Sequence, residues 1–355
     1  MEIGDAQALW SPETTYLNTA SYGLPPAPAF DALQATLADW RGGRTSWEHW
    51  GDATEASRAT FARLVGVPVE RVAVGSTVSE LIGLLAASLP NGARVVAPDI
   101  DFASLLFPWM VHGERGVEVR TVPLDRLAES IDAGTDVVAT SAVQMATGEL
   151  ADLDAVADAA RHHGARVVVD ATQAVGWLPL DASRFDAVTC AGYKWLMSPR
   201  GSAFLAVAED WLAEIVPYAA GWYAGEDVHA TYFGPPLRLA SNARRLDVSP
   251  VWFSWVGTEP ALELIERLGV EAIHAHDLAL ANAFREGLGL PPGDSAIVMV
   301  DTEVDVARLA QASVIAAARA GRLRTSWHVY NTRDDVDRAL AVLGRGHALG
   351  RGQTP

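Results

Sequence analysis

Short apolar runs rich in valine alternate with amphipathic segments between about residue 70 and residue 207. Apolar runs of this length are typical of strands buried on both faces, and their alternation with helices favours a mainly parallel sheet covered by helices. The clearest intervening helix spans 149–164, with acids in its first turn, histidines near its end and a terminal glycine. The seven predicted strands are 71–74, 93–98, 117–122, 136–143, 165–171, 186–191 and 202–207.

The pattern changes after about residue 215. Residues 218–238 are rich in glycine and aromatic side chains and show no periodicity, which indicates a long connection. The segments beyond it predict a smaller α/β unit. Its predicted helices are 252–269, 303–320 and one that begins at about 333, and its predicted strands are 295–300 and 322–327.

Length and charge narrow the possible functions. A chain of 355 residues can form two domains, and its net charge of −17 argues against an extended surface for nucleic acid or anionic membrane. The longest apolar stretches are too short to span a bilayer, and the acidic N-terminus does not resemble a secretory signal. One cysteine excludes an internal disulfide framework. We expect a cytoplasmic protein.

The chain has 27 lysine and arginine residues, and only Lys194 is a lysine. It lies among Tyr193, Trp195, Leu196 and Met197. Arginine stays protonated at ordinary pH, whereas a lysine desolvated by aromatic neighbours can act as a nucleophile and exchange a proton. The alternative is that Lys194 has no chemical role and is the one lysine left by chance in a composition biased towards arginine.

Two other groups follow predicted strands. Gly75, Ser76 and Thr77 lie between a strand and a helix, where free backbone N–H groups suit a phosphate, although a simple helix cap has the same pattern. Asp170 ends a run of valines and could either cap a helix or pair with a cationic ring nitrogen. Because ligands bind beyond the carboxyl ends of such strands, Asp170 and Lys194 could face one pocket. Neither a P-loop nor a G-x-G-x-x-G fingerprint supports nucleotide binding.

The segments VVVDATQAVG (167–176) and TCAGYKWLMSPRG (189–201) together resemble the core of the class V aminotransferase and cysteine desulfurase family. These are pyridoxal-phosphate enzymes of fold type I. The resemblance implies an α/β fold with a large domain built on a mainly parallel seven-stranded sheet, plus a smaller C-terminal α/β domain. Further similar segments are YLNTASYGLPP (16–26), VGSTVSE (74–80), DFASLLFPW (101–109) and RLRTSWHVYNTRDDVDR (322–338).

The resemblance also implies a division of the chain and a homodimer with its active sites near the subunit interface. An N-terminal arm (1–25) would lie near the active site, followed by a large cofactor-binding domain (26–215). A linker and the small C-terminal domain would form the rest (216–355).

Residue roles follow from the resemblance. Lys194 matches the lysine that holds pyridoxal 5′-phosphate covalently and moves the Cα proton, and Asp170 matches the acid that keeps the pyridine nitrogen protonated. The other implied cofactor residues are Gln173 at the phenolic oxygen, Phe102 stacked on the ring, and Ser76, Thr77 and Tyr193 at the phosphate. The implied substrate residues are Arg324, which would clamp the carboxylate, with Asn18 and Ser21.

The departures from the family pattern change the expected chemistry. Desulfurases carry a nucleophilic cysteine shortly before the carboxylate-binding arginine, but residues 312–324 contain none, and Cys190 lies in the strand before the lysine. A persulfide-forming desulfurase is therefore not expected. Ala191 lacks a hydroxyl that the family's phosphate site uses, so residues 221–223 of a partner subunit could complete that site.

We expect an enzyme that acts on an α-amino acid or a derivative with a free carboxylate. An aminotransferase is favoured, a carbon–sulfur β-lyase or an epimerase is the alternative, and a cofactor-free binding protein represents a different class. No metal site is expected, because HAHD (274–277) and His162–His163 are predicted to lie on solvated helix faces. Trp40, Trp47 and Trp50 indicate packing or, alternatively, a contribution to specificity.

Overall fold

The computed structural model of the protein describes residues 1–302 and 306–344. The helices are α1 (Ile3–Ala6), α2 (Ala27–Arg41), α3 (Trp47–Leu64), α4 (Val78–Ser88), α5 (Ala103–Met110), α6 (Leu153–His163), α7 (Glu209–Leu212), α8 (Trp252–Leu268), α9 (Val270–Gly287), α10 (Val306–Gln311) and α11 (Arg333–Leu343). The strands are β1 (Thr15–Tyr16), β2 (Val72–Gly75), β3 (Arg94–Pro98), β4 (Glu118–Val122), β5 (Val137–Ser141), β6 (Arg166–Asp170), β7 (Ala187–Ala191), β8 (Ala203–Val207), β9 (Ile297–Val300), β10 (Val314–Ile315), β11 (Ala317–Arg319) and β12 (Arg322–Ser326).

The large sheet has seven strands in the order β2-β8-β7-β6-β5-β3-β4. Strands β4, β3, β5, β6 and β7 pair in parallel, and β8 pairs antiparallel with both β7 and β2. The predicted α/β fold with a mainly parallel seven-stranded sheet is thereby confirmed. The carboxyl ends of β6 and β7 lie side by side, since Asp170 is in register with Thr189.

The large sheet is apolar on both faces because helices cover both. Phe204 of β8 stacks on Phe61 of α3 at 4.2 Å between ring centroids, within the core on one face. Leu205, the next residue, belongs to the core on the other face, together with Leu81 and Leu85 of α4. Successive side chains of a strand point to opposite faces of the sheet, and both faces are buried here. Each of these strands therefore appears in the sequence as a continuous apolar run.

Strand β4 differs from the expectation of a buried strand. It lies at the edge of the sheet, and each of its residues is exposed or half-buried. An edge strand has a neighbour on only one side, so fewer atoms cover it than cover the central strands. Its charged residues, Glu118 and Arg120, are accordingly on the surface, and they also discourage edge-to-edge pairing with another chain.

A separate three-stranded antiparallel sheet has the order β11-β12-β9. The predicted helix over 303–320 is wrong in its second half, because helix α10 ends at Gln311 and two short strands follow. Strand β10 pairs with β1 of the N-terminal segment, and β11 forms a hairpin with β12. The first residues of that predicted helix, 303–305, lie outside the described residues.

No helix in the described parts of the chain, 1–302 and 306–344, is both long enough and apolar enough to cross a membrane.

Candidate active site

Lys194 lies just beyond the carboxyl end of β7, in the connection that leads to β8. The turn after it is tight: Met197 has a φ of 55°, and its amide donates a hydrogen bond to the Lys194 carbonyl at 3.0 Å. The N-terminal segment packs closely against this turn. A Cβ atom added at Gly23 would lie 2.0 Å from the Lys194 carbonyl oxygen, so only glycine fits there.

The Lys194 side chain lines a cavity of about 220 Å³ at the carboxyl ends of the central strands. Its amine lies 5.7 Å from the centre of the Phe102 ring and 5.8 Å from that of Tyr193. Seven of the ten predicted site residues line this cavity, and the other three, Asn18, Ser21 and Arg324, do not. The predicted residues in the lining are Ser76, Thr77, Phe102, Asp170, Gln173, Tyr193 and Lys194.

The environment of Lys194 favours the neutral amine. Burial lowers the pKa of Lys194 to about 8, and the positive charges of Arg324 and Arg319 act in the same direction. The carboxylate of Asp170 partly opposes this shift in pKa. A neutral amine at moderate pH is the form that can attack a carbonyl carbon or accept a proton.

Asp170 is the last residue of β6 and is buried beside the lysine. One of its carboxylate oxygens accepts a hydrogen bond from the Thr172 amide at 2.9 Å. Burial raises the pKa of the Asp170 carboxyl, while the Thr172 hydrogen bonds and the charge of Lys194 lower it. A buried acid of this kind is well placed to pair with a cationic group brought in by a ligand.

Gln173 joins three segments of the chain. Its amide nitrogen donates to the Ala20 carbonyl at 2.9 Å, and its amide oxygen accepts from the Trp195 indole at 2.7 Å. One amide hydrogen is still free to donate into the cavity, because an amide nitrogen carries two. Gln173 therefore positions the lysine loop against the N-terminal segment in addition to lining the cavity.

Asp101, which the sequence reasoning missed, holds Phe102 in place. One oxygen of this buried carboxylate accepts from the Phe102 amide at 2.8 Å, and the other accepts from the Ser141 amide at 2.8 Å. Phe102 directly precedes α5, lines the cavity and keeps 41% of its surface exposed. An acid one residue before a candidate stacking aromatic was the only available signal.

The predicted phosphate turn is engaged by a protein carboxylate. Glu80 accepts hydrogen bonds from the Ser76 amide at 2.9 Å and from the Ser76 hydroxyl at 2.6 Å. Thr77 caps α4 by accepting from the Glu80 amide at 3.2 Å. These donors suit an anion, and the Glu80 side chain competes with any ligand for Ser76.

Arg200 is a second residue that the sequence reasoning missed. It lines the same cavity as Ser76 and Thr77, and its guanidinium lies 4.8 Å from the centre of the Tyr193 ring. The side chain is exposed and forms no ion pair with the residues that the structure describes. It therefore supplies an unpaired positive charge at the place where a phosphate was expected.

Arg324 reaches the site from β12, and its side chain is almost fully buried. It donates to the Met145 carbonyl at 2.7 Å and to the Ser21 hydroxyl at 2.6 Å. Met145 itself lines the cavity, which connects the arginine to it. Asn18 lies on the same N-terminal segment, and its side-chain oxygen is buried with no hydrogen-bond partner in the described structure.

One prediction about the HAHD segment is wrong. Asp277 is fully buried rather than on a solvated face, and it lies 2.9 Å from Nδ1 of His328. Nε2 of His328 donates to the Trp195 carbonyl at 2.9 Å, since a carbonyl oxygen only accepts. Helix α9 thus faces the lysine loop through a buried pair. At the end of α6, His162 is exposed, as predicted, and His163 is half-buried.

The structure also shows the surroundings of Cys190 and of residues 221–223. Cys190 is fully buried in β7, and burial raises the pKa of its thiol well above the usual value. Trp222 and Tyr223 lie within their own chain: Trp222 packs edge-on against Trp47 at 5.1 Å, and the Tyr223 hydroxyl donates to Glu55 at 3.0 Å. A contribution of residues 221–223 to a partner's phosphate site stays a prediction.

The chain is similar in sequence to known proteins along most of its length. A family model described as aminotransferase class-V matches residues 15–305. The chain is 28% identical to an uncharacterized aminotransferase, YcbU, of Bacillus subtilis over 348 residues, which covers 92% of each protein. It is 27% identical to an isopenicillin N epimerase of Streptomyces clavuligerus over 395 residues, covering 96% of this chain and 97% of the epimerase.

Among solved structures, the fold is similar to that of the cystine C–S lyase C-DES, which was solved with its product cysteine persulfide. The TM-score is 0.84 at 22% identity, covering 94% of this chain and 98% of the lyase. Identity this low supports similarity of fold alone.

Proposed function

This chain belongs to the class-V aminotransferase family of fold type I enzymes, and from that premise we propose that it is a pyridoxal-phosphate-dependent enzyme acting on α-amino acids, with transamination as its reaction. The observation that carries the proposal is the single lysine of the chain. Lys194 is buried in a cavity beside the Asp170 carboxyl, at the carboxyl ends of neighbouring parallel strands.

The side chains around the cavity fit pyridoxal phosphate. Lys194 is the amine that would hold the cofactor, Asp170 is the buried acid for its ring nitrogen, and Phe102 offers an aromatic face at the entrance. Gln173 retains one amide hydrogen for a ring oxygen. The donors available to the phosphate are on Ser76, Thr77, Tyr193 and Arg200.

When bound, the cofactor supplies an electron-withdrawing ring that stabilises negative charge at the substrate Cα. Residues of this chain supply the proton transfer and the charge stabilisation that the proposed reaction requires. Lys194, with a pKa of about 8, can accept the Cα proton as a neutral amine and later return it. Asp170 stabilises positive charge on the ring nitrogen through an interaction made stronger by its burial.

Arg324 supports amino acids as the substrate class. Its planar guanidinium can bind a carboxylate through two parallel hydrogen bonds, which fixes the orientation of the Cα–H bond near Lys194. It forms no ion pair among the described residues, and its Nε is buried without a partner. A guanidinium held in this way is available for a substrate anion.

A carbon–sulfur β-lyase or an epimerase is the alternative within the same family. All three reactions begin with removal of the Cα proton by Lys194, and they differ in where a proton returns or which bond breaks next. Relatives named as an aminotransferase and as an epimerase match this chain at similar identity. A persulfide-forming desulfurase is disfavoured, because Cys190 is the only cysteine and it is buried inside β7.

The proposal includes a homodimer. Phe107, Met110 and Val111 have the i, i+3, i+4 spacing that places residues on one face of a helix, and they expose 60%, 41% and 72% of their surface. Helix α5, which carries this apolar patch, begins next to the cavity residue Phe102. A second copy covering the patch would lie close to the active site.

The test begins with the purified protein and pyridoxal phosphate. We expect a yellow protein in which borohydride fixes one pyridoxyl group per chain on Lys194, as found by peptide mapping. A screen of amino acids, with mass analysis for keto acid, pyruvate or epimer, then assigns the reaction. A colourless protein that pyridoxal phosphate leaves unchanged, or a label confined to the α-amino terminus, would overturn the proposal.

A further inference from the structure

Two arginines share one serine beside the cavity. Arg324 Nη2 donates to the Ser21 hydroxyl oxygen at 2.6 Å, and Arg319 Nη2 donates to the same oxygen at 3.4 Å. The two Nη2 atoms are therefore about 6 Å apart or less. Arg324 is almost fully buried and Arg319 is half-buried. Two positive charges are thus held close together against a neutral hydroxyl.

Neither guanidinium has an acidic partner among the residues that the structure describes. Burial and the charge of Arg319 together lower the pKa of Arg324 to about 10, which reflects this uncompensated arrangement. Both arginines also lower the pKa of Lys194, so their charges act on the lysine amine. Like charges kept together without a counter-ion indicate that the ligand supplies the negative charge.

The hairpin formed by β11 and β12 explains how the two side chains come to the same place. Arg324 is directly opposite Ala317, and Arg319, two residues further along β11, points to the same face as Ala317. Arg322 lies on that face too, opposite Arg319, but it pairs with Asp301 at 2.8 Å. The outer arginine therefore has an acid of its own, whereas the two inner arginines do not.

We propose that Arg319 binds a second acidic group of the substrate while Arg324 binds the α-carboxylate, so that the enzyme acts on α-amino acids with an anionic side chain. This inference rests on the proposed function, since it assigns a substrate class to the same site. The short separation of the two guanidinium groups favours a compact substrate whose acids are a few carbons apart. An alternative arrangement, in which both arginines grip the same carboxylate, is distinguished by the experiment below.

The experiment measures binding of non-reacting acids to the holoenzyme by calorimetry. Butanoate and succinate have the same number of carbons, but only succinate has two carboxylates. We expect succinate to bind about tenfold more tightly or better than butanoate, as a charge-assisted hydrogen bond to a second carboxylate requires. Arg319→Gln should remove this preference and leave butanoate affinity within about twofold of its original value.

Two further variants complete the design. Arg322→Gln removes one positive charge from the same hairpin and should change neither affinity beyond about twofold, because Arg322 is already paired. Arg319→Lys retains the charge and should keep part of the preference, which provides a second readout should the glutamine variant unfold. Thermal unfolding of each variant reports whether the fold is intact.

Equal affinities for succinate and butanoate in the unmodified protein would overturn the inference. It would also be overturned if Arg319→Gln weakened both ligands equally, which is the result expected when both arginines grip one carboxylate. Failure of the proposed function has a different signature, because the protein would then take up no pyridoxal phosphate. The two acids can still be compared on such a protein as it is isolated.

Discussion

The Lys194 amine has an unusual environment for a lysine, and this has a measurable consequence. Its pKa of about 8 lies below the ordinary value of 10.5, because burial disfavours the charged form and two arginines add to the effect. Below pH 8 the amine carries a proton and cannot attack a carbonyl. We therefore predict that the rate at which cofactor-free protein takes up pyridoxal phosphate rises with pH and levels off just above pH 8.

The measurement is the pH dependence of colour development after rapid mixing, with a lysine derivative in solution as the reference. The solution amine should still gain reactivity up to about pH 10, as its ordinary pKa requires. Arg324→Gln should move the midpoint of the protein curve upwards, because it removes a neighbouring positive charge. A protein curve that followed the reference would contradict the prediction.

Arg200 supplies the second prediction at the scale of single residues. Its guanidinium lies 4.8 Å from the centre of the Tyr193 ring, and Arg200 lines the same cavity as Ser76 and Thr77. If it pairs with the cofactor phosphate, Arg200→Gln should weaken binding of pyridoxal phosphate about five- to tenfold, a modest loss because the arginine is exposed to water. Binding of pyridoxal, which has no phosphate, should be unchanged.

A substitution at Glu80 should change the affinity for pyridoxal phosphate in the opposite direction to Arg200→Gln. Its carboxylate occupies the Ser76 donors, so Glu80→Gln should strengthen binding of pyridoxal phosphate but not of pyridoxal. Glu129→Gln, on the surface beside Arg126, controls for the loss of one negative charge. Equal effects on the two forms of the cofactor, measured by fluorescence titration, would show that neither residue acts on the phosphate.

Some of these residues could be predicted from the sequence and others could not. Lys194 is unique in the chain and Asp170 closes an apolar strand, so each is conspicuous in a single sequence. Arg200 lies six residues after Lys194 in the same segment, 189–201, but it is one of many arginines and its residue type alone does not distinguish it. Asp101 and Glu80 act through hydrogen bonds to Ser141 and Ser76 whose geometry a linear pattern does not contain.

At the scale of elements, a buried pair holds the lysine loop against helix α9. His328 follows β12 and bridges Asp277 of α9 and the carbonyl of Trp195, the residue after Lys194. Both side chains of the pair are fully buried. Removing one member of a buried pair leaves the other without compensation, so we predict that Asp277→Asn lowers the free energy of unfolding by about 3 kcal/mol.

Urea unfolding measures this change. The matched control is Glu266→Gln, which breaks the pair between Arg63 of α3 and Glu266 of α8. The side chains of Arg63 and Glu266 are 56% and 37% exposed. An exposed pair contributes little, so this control should cost less than about 1 kcal/mol. As a positioning residue, Asp277 should also affect the pH midpoint of cofactor uptake at Lys194, which a purely structural role would leave in place. Equal losses in the two variants would argue against the buried pair.

The elements also show where sequence patterns are sufficient. Strands such as β5, β6 and β7 are buried on both faces, so their composition alone identified them. The segment 312–320 is rich in alanine and reads as helix, but β10 pairs with β1, almost the whole chain length away, and β11 pairs with β12. Pairing between distant segments overrode local propensity there.

At the scale of the whole molecule, the apolar patch formed by Phe107, Met110 and Val111 requires an explanation. The chain carries a net charge of −17, yet these three apolar side chains are exposed on or directly after α5, the helix that follows the cavity residue Phe102. Contiguous exposed apolar surface of this kind is common where proteins associate. A second copy of the chain would bury the patch and shield the cavity mouth from water.

We predict that the protein sediments as a dimer at micromolar concentration and that Phe107→Glu shifts it towards the monomer, because the partner would have to bury an unpaired carboxylate. Phe233→Glu is the matched control: Phe233 is even more exposed, at 89%, but it lies in the long connection rather than on α5. This control should still sediment as a dimer. A monomeric unmodified protein, or equal effects of the two substitutions, would exclude α5 as the contact. A monomer that retained pyridoxal phosphate as tightly as the dimer would further show that one chain completes the phosphate site alone.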